Sequence, residues 1–137
     1  MPAQQSDFSA IPLWPRLIVV LGIVLLAAGA VIAVVHPVLL VSPHDQIDEA
    51  THVFAGYLAS RNMALALMLL VAILLRARKA LNILVLLAAA IQLLDIGMDI
   101  FEGRWAVVPA VVILGALFLA ASARIAGHPF WKAEAWT

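Results

Sequence analysis

The chain predicts an all-α membrane protein: four transmembrane helices in an antiparallel up-down bundle, with both termini cytoplasmic. Three observations carry that expectation. The 137 residues are 66% hydrophobic and 12% charged, with mean hydropathy +1.11, whereas soluble domains are about 45–50% apolar and about 25% charged. The apolar residues collect into four runs of membrane-spanning length. Six basic residues outside those runs, Arg16, Arg76, Arg78, Lys79, Arg124 and Lys132, fall on one side of a four-span arrangement. The length allows a single domain over residues 1–137, with spans at about 13–36, 50–76, 79–101 and 105–125. A net charge of zero speaks against a nucleic-acid partner. With no cysteine, disulfides, thiol chemistry and thiolate metal sites are excluded.

A crossing helix needs about 20 apolar residues. Residues 1–16 hold Asp7 and a single basic residue, and the apolar run after them is too long for a cleavable leader, so this segment is expected to be retained. Residues 17–35 form the first run, without a charge. Gly22 and Gly29 lie a heptad apart in it, among Ala27, Ala28 and Ala30, and small residues let helices approach closely in lipid. Ser42, Pro43 and Asp45 read as a helix start, so the second helix is expected to begin near Pro43. Its apolar run spans residues 53–75 and is broken only by Ser60, Arg61 and Asn62. The third run, 80–100, carries Gln92, Asp95 and Asp99 in its last third. The fourth, 105–123, is uncharged, with Pro109 in its first turns, where a missing N–H matters least. Gly115, Ala116, Ala120 and Ala121 give it a small-residue face, and exposed small residues on helices 1 and 4 permit a homo-oligomer.

Arg16, Arg76, Arg78, Lys79, Arg124 and Lys132 share one side of this arrangement, and Asp45, Asp48 and Glu49 the other. Lysine and arginine favour the cytoplasmic face, so the expected location is a bacterial cytoplasmic membrane. Trp14, Trp131 and Trp136 then sit near the inner interface and Trp105 near the outer one. The tail 127–137 either lies on the inner surface with Phe130, Trp131 and Trp136 dipping in, or frays into solvent.

The charges inside the second and third runs need explaining. On insertion scales, each such charge near the bilayer centre costs roughly 2.5–3.5 kcal/mol. Folding the two helices about the turn near Ala77 and Arg78 puts Arg61 level with Leu94 and Asp95, since both rise about 1.5 Å per residue. Gln92, Asp95, Asp99 and Glu102 follow a helical stripe, and Tyr57 and Arg61 lie one turn apart. Tyr57, Arg61, Gln92, Asp95 and Asp99 are therefore the expected ligand-binding residues, open toward the outer leaflet. Arg61 and Asp95 are expected to form a bidentate pair. Asn62 is expected to point elsewhere, to helix 1 or 4. Asp99 is left without an obvious cation, which makes Asp99, and then Asp95, the candidate proton donor or acceptor. The competing reading is a structural lock between helices 2 and 3.

His44, Asp48 and His52 recur every fourth residue and, on a helix, would share a face able to hold Zn²⁺ or a similar ion. They are weak metal candidates, because exposed acidic segments with histidines are common, and His128 has no partner in sequence.

The run Ala59-Ser60-Arg61-Asn62-Met63, the basic turn Arg76-Ala77-Arg78, and Gln92-Leu93-Leu94-Asp95 together resemble a family of small four-helix membrane proteins loosely related to the DoxX-like proteins. Arg61, Asn62 and Asp95 match its pattern of Arg-Asn or Arg-Asp in helix 2 and Asp late in helix 3, while Ala66 stands where glycine is common. The resemblance covers residues 56–103. It implies the fold and leaves the activity open; some DoxX relatives are associated with quinone-linked oxidation.

Three classes of function follow. The first is a non-enzymatic protein that binds a lipid, a small lipophilic molecule or a membrane partner. The second is a membrane enzyme using Asp99 or Asp95 as acid or base on a lipophilic substrate; redox chemistry would need a bound quinone or flavin as cofactor. The third is a small proton-coupled transporter, which compact four-span exporters resemble except that their essential carboxylate is in helix 1, where this chain has none.

Overall fold

A computed structural model describes residues 11–39 and 48–135. Four helices make up nearly all of it: α1 (Leu13–Val35), α2 (Glu49–Leu74), α3 (Arg78–Phe101) and α4 (Val108–Ala126). Single 3₁₀ turns follow at Pro37–Leu39 and Ala133–Ala135, and the described residues include no strand. All four helices are long and apolar enough to cross a membrane. Only 28% of the most apolar window of each is buried inside the bundle. Leu, Val, Ile and Phe side chains therefore cover the outside, a surface suited to hydrocarbon. α1 packs along α2 and α3 along α4, and narrower α1–α4 and α2–α3 contacts close the bundle.

The helix ends are set by local chemistry. Asp48 adopts an extended backbone and caps α2: its carboxylate accepts the Thr51 N–H at 2.8 Å, and the Thr51 hydroxyl returns to the Asp48 N–H. The start expected near Pro43 is corrected to Glu49; Ser42, Pro43 and Asp45 lie outside the described residues. These hydrogen bonds hold the Asp48 carboxyl below its ordinary range, the backbone bond from Thr51 being the largest cause.

α2 and α3 end in the same turn. After α2, the Ala77 N–H reaches the Ala72 carbonyl at 2.9 Å and the Arg76 N–H reaches Ile73 at 3.0 Å. After α3, the Arg104 N–H reaches Asp99 at 2.7 Å and the Gly103 N–H reaches Ile100 at 3.1 Å. Each is a Schellman motif, which needs one residue in the left-handed region. Gly103 supplies it with φ 74°, whereas at the end of α2 Arg76 does so with φ 53°. The second turn delays α4: the Val107 N–H bonds the Arg104 carbonyl, and the helix starts at Val108 rather than at residue 105, with Pro109 in its first turn.

The core is uneven along the bundle axis. Toward the basic end, Phe118, Leu69, Leu81, Ile125, Val19 and Val85 are fully buried. The Ser122 hydroxyl donates to Asn82 Oδ1 at 2.7 Å inside this packing. Arg78 Nε donates to the Ile125 carbonyl at 2.6 Å, which fixes the start of α3 to the end of α4. Phe118 rests on Gly22, where an added Cβ would come within 2.7 Å of its ring. Toward the acidic end, the buried apolar residues are four alanines of α1 and α2, Ala30, Ala33, Ala55 and Ala59. No residue of α3 beyond Ala89, and none of α4 before Gly115, is buried.

Candidate ligand site between the four helices

Where the packed core gives out, the four helices enclose a partly open cavity of about 260 Å³. Gly22 and Leu26 of α1 and Phe118 and Leu114 of α4 give it apolar walls. Its polar groups are Arg61 and Asn62 of α2 and Gln92 and Asp95 of α3. Arg61 is near the middle of α2, about 18 Å along the axis from Glu49. A charge at that depth is stable only against polar groups or water.

Arg61 Nη2 lies 3.6 Å from Asp95 Oδ2. The two residues do meet at the level given by folding α2 and α3 about their turn. The contact is a single long ion pair, and the expected bidentate geometry is corrected. Both side chains remain open, 44% exposed for Arg61 and 38% for Asp95. A lock between helices would be closed and short; this pair leaves the outer face of each group free for a third partner. Gln92 packs its Cβ stem near Gly115, 3.5 Å from where a Cβ would stand. The Asn62 amide lies toward Gly29 of α1, 3.4 Å from where a Cβ would stand there. Asn62 does turn toward helix 1, but the expectation that it points away from the Arg61 site is corrected: it lines the same cavity.

Two expected members stand elsewhere. Tyr57 is 72% exposed and does not line the cavity. It shares the face of Arg61, but only the long arginine stem reaches back inward from that face. Asp99 does have a cation, Arg104, whose Nη1 lies 3.6 Å from Asp99 Oδ1 and 3.7 Å from Glu102 Oε2. The turn at Gly103 folds the chain back so that Arg104 meets Asp99 with both its N–H and its guanidinium. This removes the premise of an uncompensated Asp99, and Asp99 is not among the cavity walls. Of the two candidate acid–base carboxylates, only Asp95 faces the cavity.

For the weak metal candidates, the helical face is broken. Asp48 is extended and its carboxylate is held by Thr51, so Asp48 does not continue a helix back to His44; His44 lies outside the described residues. Among the described residues, no three His, Asp or Glu side chains gather in a metal-holding group.

The cavity's charge is balanced within it, one guanidinium against one carboxylate, with two amides beside them. It therefore offers donors and acceptors without a net charge. A second, shallower groove of about 560 Å³ lies between α1 and α2 around Ala30, Val34, Ala59 and Met63, with Ser60 its one polar side chain. Arg104, Asn82 and Ser122 escaped the sequence reading; the readable signal was Gly103, a residue suited to turning Arg104 back. Compared with protein-family profiles, curated proteins and solved structures, the chain has no significant match.

Proposed function

We propose that the chain is an integral protein of a bacterial cytoplasmic membrane, an antiparallel up-down bundle with its termini and basic end inside. In this reading its cavity holds the polar end of a small, uncharged lipophilic molecule. The observation that supports this is the half-exposed Arg61–Asp95 pair, 3.6 Å apart, in a cavity walled by all four helices. Pockets for small ligands are mostly apolar with a few convergent polar groups. A volume of about 260 Å³ suits a polar head or a short molecule, with any tail leaving toward lipid. Arg61 would donate to a carbonyl or ether oxygen, and Asp95 would accept from a hydroxyl. The resemblance to DoxX-like four-helix proteins belongs to the same proposal and rests on Arg61, Asn62 and Asp95.

A second reading is an enzyme acting on such a molecule by proton transfer. The placement of Asp95 in the cavity favours Asp95 over Asp99 as its acid or base.

The test is extraction of the detergent-purified protein with organic solvent, followed by mass spectrometry of what it retained. A stoichiometric lipophile in the native protein, lost in Arg61→Gln and Asp95→Asn while helicity and monodispersity persist, is the expected result. Retention unchanged in both variants, or no retained lipophile at all, would refute the binding reading.

A further inference from the structure

The opposite end of the molecule carries a second feature that the cavity does not use. Of the eight Lys and Arg residues, six belong to segments at the basic end: Arg16, Arg76, Arg78, Lys79, Arg124 and Lys132. Of the eight Asp and Glu residues, only Asp7 and Glu134 belong to those segments, and Asp7 lies outside the described residues. Arg78 is spent internally, on the Ile125 carbonyl. That bond draws the turn between α2 and α3 against the end of α4. It thereby ties together, at one corner of the bundle, the two segments that carry Arg76, Lys79 and Arg124, each within two residues of one end of that bond. All three are exposed, as is Lys132 farther along the tail. Next to Arg76 in sequence stand Leu74 and Leu75, 70% and 73% exposed, and the tail after α4 carries Trp131, 72% exposed and set edge-on to Phe130.

Exposed cations next to exposed leucine and tryptophan match the boundary between headgroups and acyl chains. We propose that this corner binds the headgroup of an anionic phospholipid. Arg76, Lys79 and Arg124 would contact the phosphate, Leu74 and Leu75 would lie along the acyl chains, and Lys132 would add charge from the tail. Arg78 acts as the strut that holds the corner together and makes no lipid contact of its own. The occupant is a membrane lipid and not a soluble phosphate, because the apolar half of the corner has no use for a free anion.

The experiment reconstitutes the full chain with equal parts phosphatidylglycerol and phosphatidylcholine, extracts it in mild detergent, and counts the retained lipids by native mass spectrometry. Phosphatidylglycerol is expected to exceed phosphatidylcholine by about tenfold or more, from several cations each favouring an anionic surface. In the triple variant Arg76→Gln, Lys79→Gln, Arg124→Gln the ratio should fall to near parity. Equal retention of the two lipids by the native chain would overturn the proposal. So would a ratio unchanged in the triple variant. If that variant does not fold, the native chain is extracted at rising salt: a ratio that falls supports the corner, since exposed charges are screened, and one that stays constant overturns it. Inorganic phosphate should displace no more lipid than sodium chloride at the same ionic strength; greater displacement would mean that a free anion is the ligand and would overturn the proposal.

Discussion

The two ends of this bundle are built from the same four helices and solve opposite problems. At the basic end, Phe118, Leu69, Leu81, Val85 and Ile125 fill the space between helices, and the Ser122–Asn82 hydrogen bond is sealed among them. At the acidic end, four alanines are the buried apolar residues, and Arg61, Asp95, Asp99 and Arg104 take the places that large apolar residues hold below. One end carries the packing that holds the helices together. The other leaves room and places charge in it. The Arg61–Asp95 contact is long and open on its outer side, so the arrangement at the acidic end is explained better by what it can bind than by what it can hold.

The comparison breaks first at Phe118. Phe118→Ala should cost about 3–5 kcal/mol, read as a large loss of thermal stability in detergent, whereas the double variant Arg61→Gln, Asp95→Asn, which leaves neither charge unpaired, should be close to neutral. Comparable losses would erase the division between the two ends. Gly22→Ala is next. Its methyl would meet the Phe118 ring at 2.7 Å, so about 1–3 kcal/mol should be lost. A smaller side chain at the contact should restore part of it, making Gly22→Ala less costly in a Phe118→Leu background than alone.

The matching turns after α2 and α3 give a pair of opposite sign. Arg76→Gly relieves a left-handed non-glycine residue and should stabilise by about 1 kcal/mol, while Gly103→Ala imposes one and should destabilise by about as much. Gly103→Ala should also loosen Arg104 from Asp99, which a chemical-shift or spectroscopic probe at the end of α3 would register. The smallest effect is that of pH on the start of α2. The folded-state carboxyl of Asp48 titrates below its ordinary range. Its cap is therefore fully present above the unfolded value and weakens as pH falls through the folded one. Hydrogen-exchange protection factors in the first turn of α2, taken relative to the intrinsic rate at each pH, should fall on acidification, and Asp48→Asn should flatten that dependence.

Much of this was legible in the amino-acid sequence, for physical reasons. Runs of apolar residues long enough to span hydrocarbon can only be helices there, so the four spans and their short connections could be read directly. The meeting of Arg61 and Asp95 followed from constant helical rise about a short turn. Periodicity fails where a side chain's reach or a chain reversal decides the outcome. Tyr57 and Arg61 share a face, yet the rigid ring stays outside while the flexible guanidinium turns in. Asp99 finds its partner through the left-handed Gly103, which sends the chain back over the helix end; counting charges along α3 could not place Arg104 there. Asn82 and Ser122 lie in separate apolar runs, and only the packing of α3 on α4 brings them together.

The central claim is that the Arg61–Asp95 pair faces an occupied ligand cavity. An experimental density map of the protein in lipid nanodiscs tests it most directly. Elongated density between the four helices, with a polar end within hydrogen-bonding distance of Arg61 or Asp95, is the expected result. A closed, ligand-free interior, with Arg61 and Asp95 locked in a short bidentate pair and Phe118 and Leu114 filling the space, would contradict it.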